Sequence, residues 1–201
     1  MLSSSQSNVQ SPQSEKSFAS IDLSNEDDET VAKKIDEIRH VFIPLKQQND
    51  GEKMIIIIRV SIHDPYKHKI ANVIKTGKMI LDVAIKDNMT VSTIGAIVIF
   101  DMSNVTLGHG LQMTPRVVQR LVHSWQGCYP VKINSLNFIN APIYVNGILN
   151  LFKSFMSHKM RTKVNVYSKT SEDLFSSIPK QQLPAEYGGF AGNLQSYISE
   201  Y

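Results

Sequence analysis

Two pairings of histidine with a carboxylate are the first places where this chain could do proton chemistry: His63 beside Asp64, and Asp101 ahead of His109. A carboxylate that orients an imidazole is half of a general acid–base site. Each pairing has a plainer reading. His63-Asp64-Pro65 is a helix-entry signal, because Asp caps well and Pro follows a cap well, and Asp101 and His109 each suit a turn or cap. His123 and Cys128 stand five residues apart around a helix end, so they do not share a face and make no thiol–imidazole couple. Gly108-His109-Gly110 is too little for a phosphate-cradling loop. The nucleophile elbow G-x-S-x-G does not occur, and the six histidines have no metal-ligand spacing. The residues predict neither catalysis nor a metal or cofactor site.

Charge is the stronger signal. The net charge of +3 divides into −5 over residues 1–30 and +8 over the remainder. No Asp or Glu occurs between Asp101 and Glu172, a stretch that holds Arg116, Arg120, Lys132, Lys153, Lys159, Arg161, Lys163 and Lys169. Cations without local acids predict a positive face, with anionic lipid or nucleic acid as the partner. The basic residues are spread over several elements without the interleaved aromatics of a base-stacking platform, which disfavours nucleic acid. The single cysteine, Cys128, excludes an internal disulfide and suits a reducing cytosol. The apolar run 54–60 is too short for a membrane span and is interrupted by Arg59. The N-terminus MLSSSQSNVQ lacks the basic-then-apolar order of a secretory signal.

The elements that must position these charges alternate between strand and helix. Residues 1–28, rich in Ser, Gln and Asn, read as a disordered tail, and 29–48 as a short helix and linker. The unbroken run 54–60 predicts a buried strand, and 66–86 a helix with Ile70, Val73, Ile74, Gly77, Ile80, Leu81 and Ala84 inward. A second apolar strand covers 95–101. Thr114-Pro115 opens a helix that ends near Gly127-Cys128-Tyr129-Pro130, and 131–139 is a third strand. At about 100° per residue, 143–156 forms an amphipathic helix. Its apolar side is Tyr144, Val145, Ile148, Leu149, Leu151, Phe152, Phe155 and Met156, with Pro142 in its first turn and Asn140 or Ala141 as cap. A short strand at 164–167, a helical turn at 172–177, an ordered loop at 183–189 and a terminal helix complete the chain. This alternation predicts an α/β domain over 49–201 with a largely parallel sheet.

Ile99-Phe100-Asp101, His109, Thr114-Pro115, Tyr129-Pro130, Ile139-Asn140-x-Pro142 and Leu183-Pro184-x-Glu186-Tyr187-Gly188-Gly189 occur in an order that resembles the CRAL-TRIO lipid-binding domain. The likeness is to the branch of alpha-tocopherol transfer protein, cellular retinaldehyde-binding protein and the clavesins, its insect members above all. It runs from about Asp50-Gly51 through Gly189. It implies a mostly parallel sheet flanked by helices, with a hydrophobic cavity covered by the helix at 142–156 acting as a gate. The implied cavity residues are Phe100, Met113, Leu121, Trp125, Tyr129, Val131, Ile133 and Leu136, with Gly77 and Leu81 nearby. The implied gate residues are Val145, Ile148, Leu149, Phe152, Phe155 and Met156.

The resemblance also implies a phosphoinositide headgroup site at Lys132, Lys159, Arg161 and Lys163. In the tocopherol-transfer branch a basic cleft binds phosphatidylinositol bisphosphate, although Asn134 stands here where the family carries an arginine. The implied function is non-enzymatic carriage of a retinoid, tocopherol or similar lipid by a cytoplasmic monomer peripheral to membranes. Burying a few hundred Å² of such a guest yields roughly ten kcal/mol before entropic costs. The family's N-terminal helical lobe has no counterpart among the 52 residues before Lys53. A truncated or lapsed member, serving as an interaction domain without cargo, is the competing expectation.

Overall fold

Five apolar residues in succession, Met54 to Ile58, bury both faces of a strand, and that strand, β2 (Met54–Arg59), lies inside a five-stranded sheet. The structure is a computed structural model that describes residues 36, 38–45, 51–87, 91–167 and 172–199. The tail expected at 1–28 and most of the first predicted helix lie outside the described residues. β1 (Phe42–Leu45), β3 (Ala96–Asp101), β4 (Ile133–Ile139) and β5 (Val164–Val166) complete the sheet in the spatial order β1-β2-β3-β4-β5. β1 runs antiparallel to β2, and the other pairings are parallel.

Spatial order that follows chain order has a strong consequence. Parallel neighbours need crossovers, and right-handed crossovers that step in one direction all land on the same face of the sheet. The helices between strands accordingly share one core with Ile56, Ile58, Val98, Leu136 and Phe138. Ile55, Ile57, Ile97, Ile99 and Ile139 point the other way, under Leu174, Ile178, Leu183, Tyr187, Leu194 and Ile198 of the C-terminal segment.

Several boundaries differ from the sequence pattern for local reasons. The helix predicted over 66–86 occupies Ile70–Asp87. Asp64 spends its capping capacity on a turn instead: its Oδ1 accepts from the Tyr66 amide at 2.8 Å and its carbonyl from the His68 amide at 2.9 Å. The helix Pro115–His123 is capped by Thr114 as expected, and its end widens into a π-helical turn, Ser124–Cys128. The amphipathic helix spans Val145–Phe155, so Pro142 precedes its first turn and Asn140 is not its cap. Asn140 sits at φ 53°, with its side chain turned back to Asp101 and Ser103. β1 and the short helix Leu107–Gln112 carried no sequence signal of their own. The loop at 183–189 is ordered by a 3-10 turn, Ala185–Tyr187, after which Gly188 takes φ 77°.

Asp101, at the end of β3, ties both faces together. Its Oδ1 accepts from the Ser103 amide at 3.0 Å, the Ser103 hydroxyl at 2.7 Å and the Asn140 amide group at 3.0 Å. Its Oδ2 accepts from the Tyr187 hydroxyl at 3.0 Å. Burial opposes ionisation of Asp101, but the bonds from Ser103, Asn140 and Tyr187 outweigh it and hold the carboxyl below its ordinary value of 3.8. The carboxylate's stabilising contribution is therefore complete above that unperturbed value and is lost as pH falls through the lower folded-state pKa. Asp101→Ala should cost about 3 kcal/mol at pH 7. Its deficit relative to wild type in urea unfolding should shrink as the pH falls below 3.8.

Candidate functional site: an apolar cavity roofed by a helix

Between the helical face of the sheet and its covering helices lies a cavity of about 430 Å³, within the range of small-molecule sites. Its floor is the sheet. Phe100 and Phe138 are register partners on β3 and β4, and their rings stack 4.5 Å apart at 6°. Ile58, Ile133 and Leu136 extend the floor, and Phe42 closes it on the β1 side. One wall is the long helix, through Ile70, Val73, Ile74 and Leu81; another is formed by Leu121, Val122 and Trp125. The roof is Val145, Ile148, Leu149, Phe152 and Met156.

Both ends of the roof helix are fastened. At its start the Tyr144 hydroxyl donates to the Val105 carbonyl. At its end Gln126, in the π-helical turn, donates to the Phe155 carbonyl at 3.4 Å and accepts from the Ser157 amide at 2.7 Å. Arg161 Nε donates to the Met156 carbonyl at 2.9 Å, the placement of a cation that best suits a helix C-terminus. Between these ends, what holds the helix is dispersion and apolar contact across the cavity.

Six of the eight cavity residues named from sequence line the space: Phe100, Met113, Leu121, Trp125, Ile133 and Leu136. Tyr129 and Val131 stand beside it in the surrounding core. Tyr129 is drawn away because its hydroxyl donates to the Asp82 carboxylate at 2.9 Å, and burial together with Asp82 raises its pKa. Phe155 packs on the core without reaching the cavity. Leu81 lines the space, whereas Gly77 acts one step back: a Cβ there would stand 2.4 Å from the Phe42 ring. Phe42 was not legible as a cavity residue, because β1 itself was not.

The four basic residues divide. Burial, then Lys159 and Lys132, lower the pKa of Lys163, so these three lysines feel one another's charge. Lys163 Nζ also donates to the Ile133 carbonyl. Arg161 is committed to the end of the roof helix. The pairings of His63 with Asp64 and Asp101 with His109 resolve into separate structural roles. Asp64 holds its turn, Asp101 its network, and His109 caps the helix Leu107–Gln112 through Thr106.

The cavity mouth carries an unusual surface. Leu107 and Leu111 both line the space and are 70% and 80% exposed; Tyr144 lines it and is 47% exposed, next to Ile143 at 88%. Contiguous exposed apolar side chains of this size mark a surface that meets something. No helix among the described residues is long and apolar enough to cross a membrane.

An α/β domain whose crossover helices cover an apolar cavity under a fastened helix has the architecture of a ligand-holding fold. The family model for the CRAL/TRIO domain matches residues 38–189, and the chain therefore belongs to the CRAL-TRIO family, whose members bind and transfer small lipophilic ligands. Rat clavesin-1 is 23% identical over 145 residues, covering 72% of this chain and 41% of the relative. Mouse clavesin-2 is 22% identical over 139 residues, covering 69% and 42%. The match thus spans about two-fifths of the length of these curated relatives. Among solved structures, Sfh5 has the same fold, with a TM-score of 0.60 at 18% identity over 80% of this chain and 58% of that one.

Gly77→Leu should drive the Phe42 ring into the cavity. The volume open to a guest should fall, and uptake of a fluorescent lipid should drop at least tenfold while the far-ultraviolet circular dichroism stays that of the wild type.

Proposed function

We propose that this domain carries one small lipophilic molecule, a retinoid, tocopherol or similar lipid, and exchanges it at anionic membranes without catalysing a reaction. The observation that supports this most directly is the cavity itself: about 430 Å³ walled almost wholly by apolar side chains, in a protein of a lipid-carrier family. An apolar guest in such a space gains dispersion contacts with the side chains that line it. Native mass spectrometry of protein purified from its own cells should find a bound lipid at one per chain. Protein that arrives empty and refuses retinol, tocopherol and phosphoinositide alike would identify instead an interaction domain that has lost its cargo.

Docking in this reading combines two weak attractions. Lys132, Lys159 and Lys163 form the cationic patch, for which phosphatidylinositol bisphosphate is the proposed headgroup. Each lysine near an anionic leaflet contributes about 1 kcal/mol. Leu107, Leu111 and Ile143 add apolar side chains that a bilayer can take up at the cavity mouth. Three lysines make a reversible tether, which suits a carrier that must leave again. Lys159→Glu combined with Lys163→Glu should abolish co-sedimentation with vesicles containing phosphatidylinositol bisphosphate, and wild-type binding should weaken as salt is raised above 0.1 M, where the screening length is about 10 Å. Unchanged binding by the double variant would remove these lysines from the headgroup site.

A further inference from the structure

One buried polar side chain in the cavity wall makes no well-formed hydrogen bond. His63 is only 4% exposed and lines the cavity; neither ring nitrogen makes a hydrogen bond of ordinary geometry among the described residues, although the Val60 backbone approaches closely enough to favour its charged form. Five other polar side chains of the wall are occupied. The Tyr144 hydroxyl is bound to Val105, Lys78 donates to the Ser124 hydroxyl, and Gln126 is engaged with Phe155 and Ser157. Thr106 and His109 serve each other.

The neighbouring His109 side chain is no hydrogen-bond partner for His63, because it is fully used. The Thr106 amide, which can only donate, points to His109 Nδ1 at 3.1 Å, so Nδ1 holds its lone pair and Nε2 the proton. That Nε2–H donates to the backbone carbonyl of His63 at 3.1 Å. The two rings meet edge to face, with centroids 4.8 Å apart at 82°, a contact that makes no hydrogen bond. Burial and then the neighbouring His109 lower the pKa of His63, outweighing the Val60 backbone and Asp64, so the ring is neutral at pH 7 with one donor and one acceptor. Its χ2 is a soft, two-fold torsion, and turning about it exchanges which ring edge faces the guest.

Granted the carriage reading above, we infer that His63 is the cavity's reader of a hydroxyl group, and that the cargo is a lipophilic alcohol rather than a hydrocarbon or a fully esterified lipid. A hydroxyl can accept from the imidazole N–H or donate to its bare nitrogen, so it satisfies whichever edge is presented. A guest without oxygen leaves the buried His63 ring without a well-formed hydrogen bond, which is the state that buried polar groups avoid. His63 thereby sets orientation as well as choice. The oxygen end lies beside His63 and His109, and the chain end extends under the roof helix towards Trp125.

The chain's single tryptophan, Trp125, lines the cavity, so its quenching reports occupancy directly. Titrations would compare all-trans-retinol with the hydrocarbon in which its hydroxyl is replaced by hydrogen. Wild-type protein should prefer the alcohol about tenfold, the worth of one buried hydrogen bond. His63→Phe should bring the ratio near one while keeping the hydrocarbon's affinity, and His63→Gln, which retains a donor and an acceptor, should keep the preference. Equal affinities in the wild type, or a preference undiminished in His63→Phe, would overturn the assignment and leave carriage standing. So would a native cargo without a hydroxyl. Protein that binds neither probe and arrives empty from its own cells would overturn both.

Discussion

The arrangement of this domain depends on the order of its sheet. Because β2, β3, β4 and β5 follow one another in space as they do in sequence, every crossover returns on the same side. That side receives the long helix, the capped helix and the roof helix, which is enough material to build walls around a void. The opposite face is left for the segment after β5, whose aliphatic side chains and Tyr187 cover it. One face is therefore solidly covered, and the other is covered around a space that opens at a mouth. A doubly wound sheet of the same strands would divide its helices between the two faces and could not enclose as much.

Polar groups are placed so as not to spoil that space. Asp101 gathers Ser103, Asn140 and Tyr187 at the carboxyl end of β3, and so joins the C-terminal segment to the loop that leads into the roof helix. Gln126, Tyr144 and Arg161 fasten the two ends of the roof and leave its middle apolar. The roof helix is thus fixed at its ends by a few hydrogen bonds and presents an apolar face to the cavity between them.

The strands and helices with strong periodicity were legible in the sequence: the isoleucine run of β2, the apolar β3, and the helix over the cavity. Their family order made most of the cavity floor legible too, since Phe100, Ile133 and Leu136 sit on strands whose direction the pattern fixes. β1 was missed because Phe42–Leu45 includes Pro44 and is only four residues long, so it reads as linker until β2 supplies hydrogen-bond partners. The Leu107–Gln112 helix was missed because two of its six residues are Gly, a poor helix former. Tyr129 went elsewhere than expected because its hydroxyl found a specific acceptor in Asp82, an event that spacing along a chain does not encode. His63 read as a turn residue, and its burial against the cavity follows from tertiary contacts alone.

On the carriage proposed above, the cavity of about 430 Å³ takes part of its core from outside the chain. The guest then acts as a detachable core residue, and stability becomes a function of its concentration: at one hundred times its dissociation constant a ligand adds about 2.7 kcal/mol to the folded state. Cargo supply and protein survival are coupled by that relation. When the lipid is scarce, more of the domain is unfolded and open to proteolysis; when it is plentiful, the carrier that holds it persists. On that reading, the amount of folded protein is a gauge of its guest.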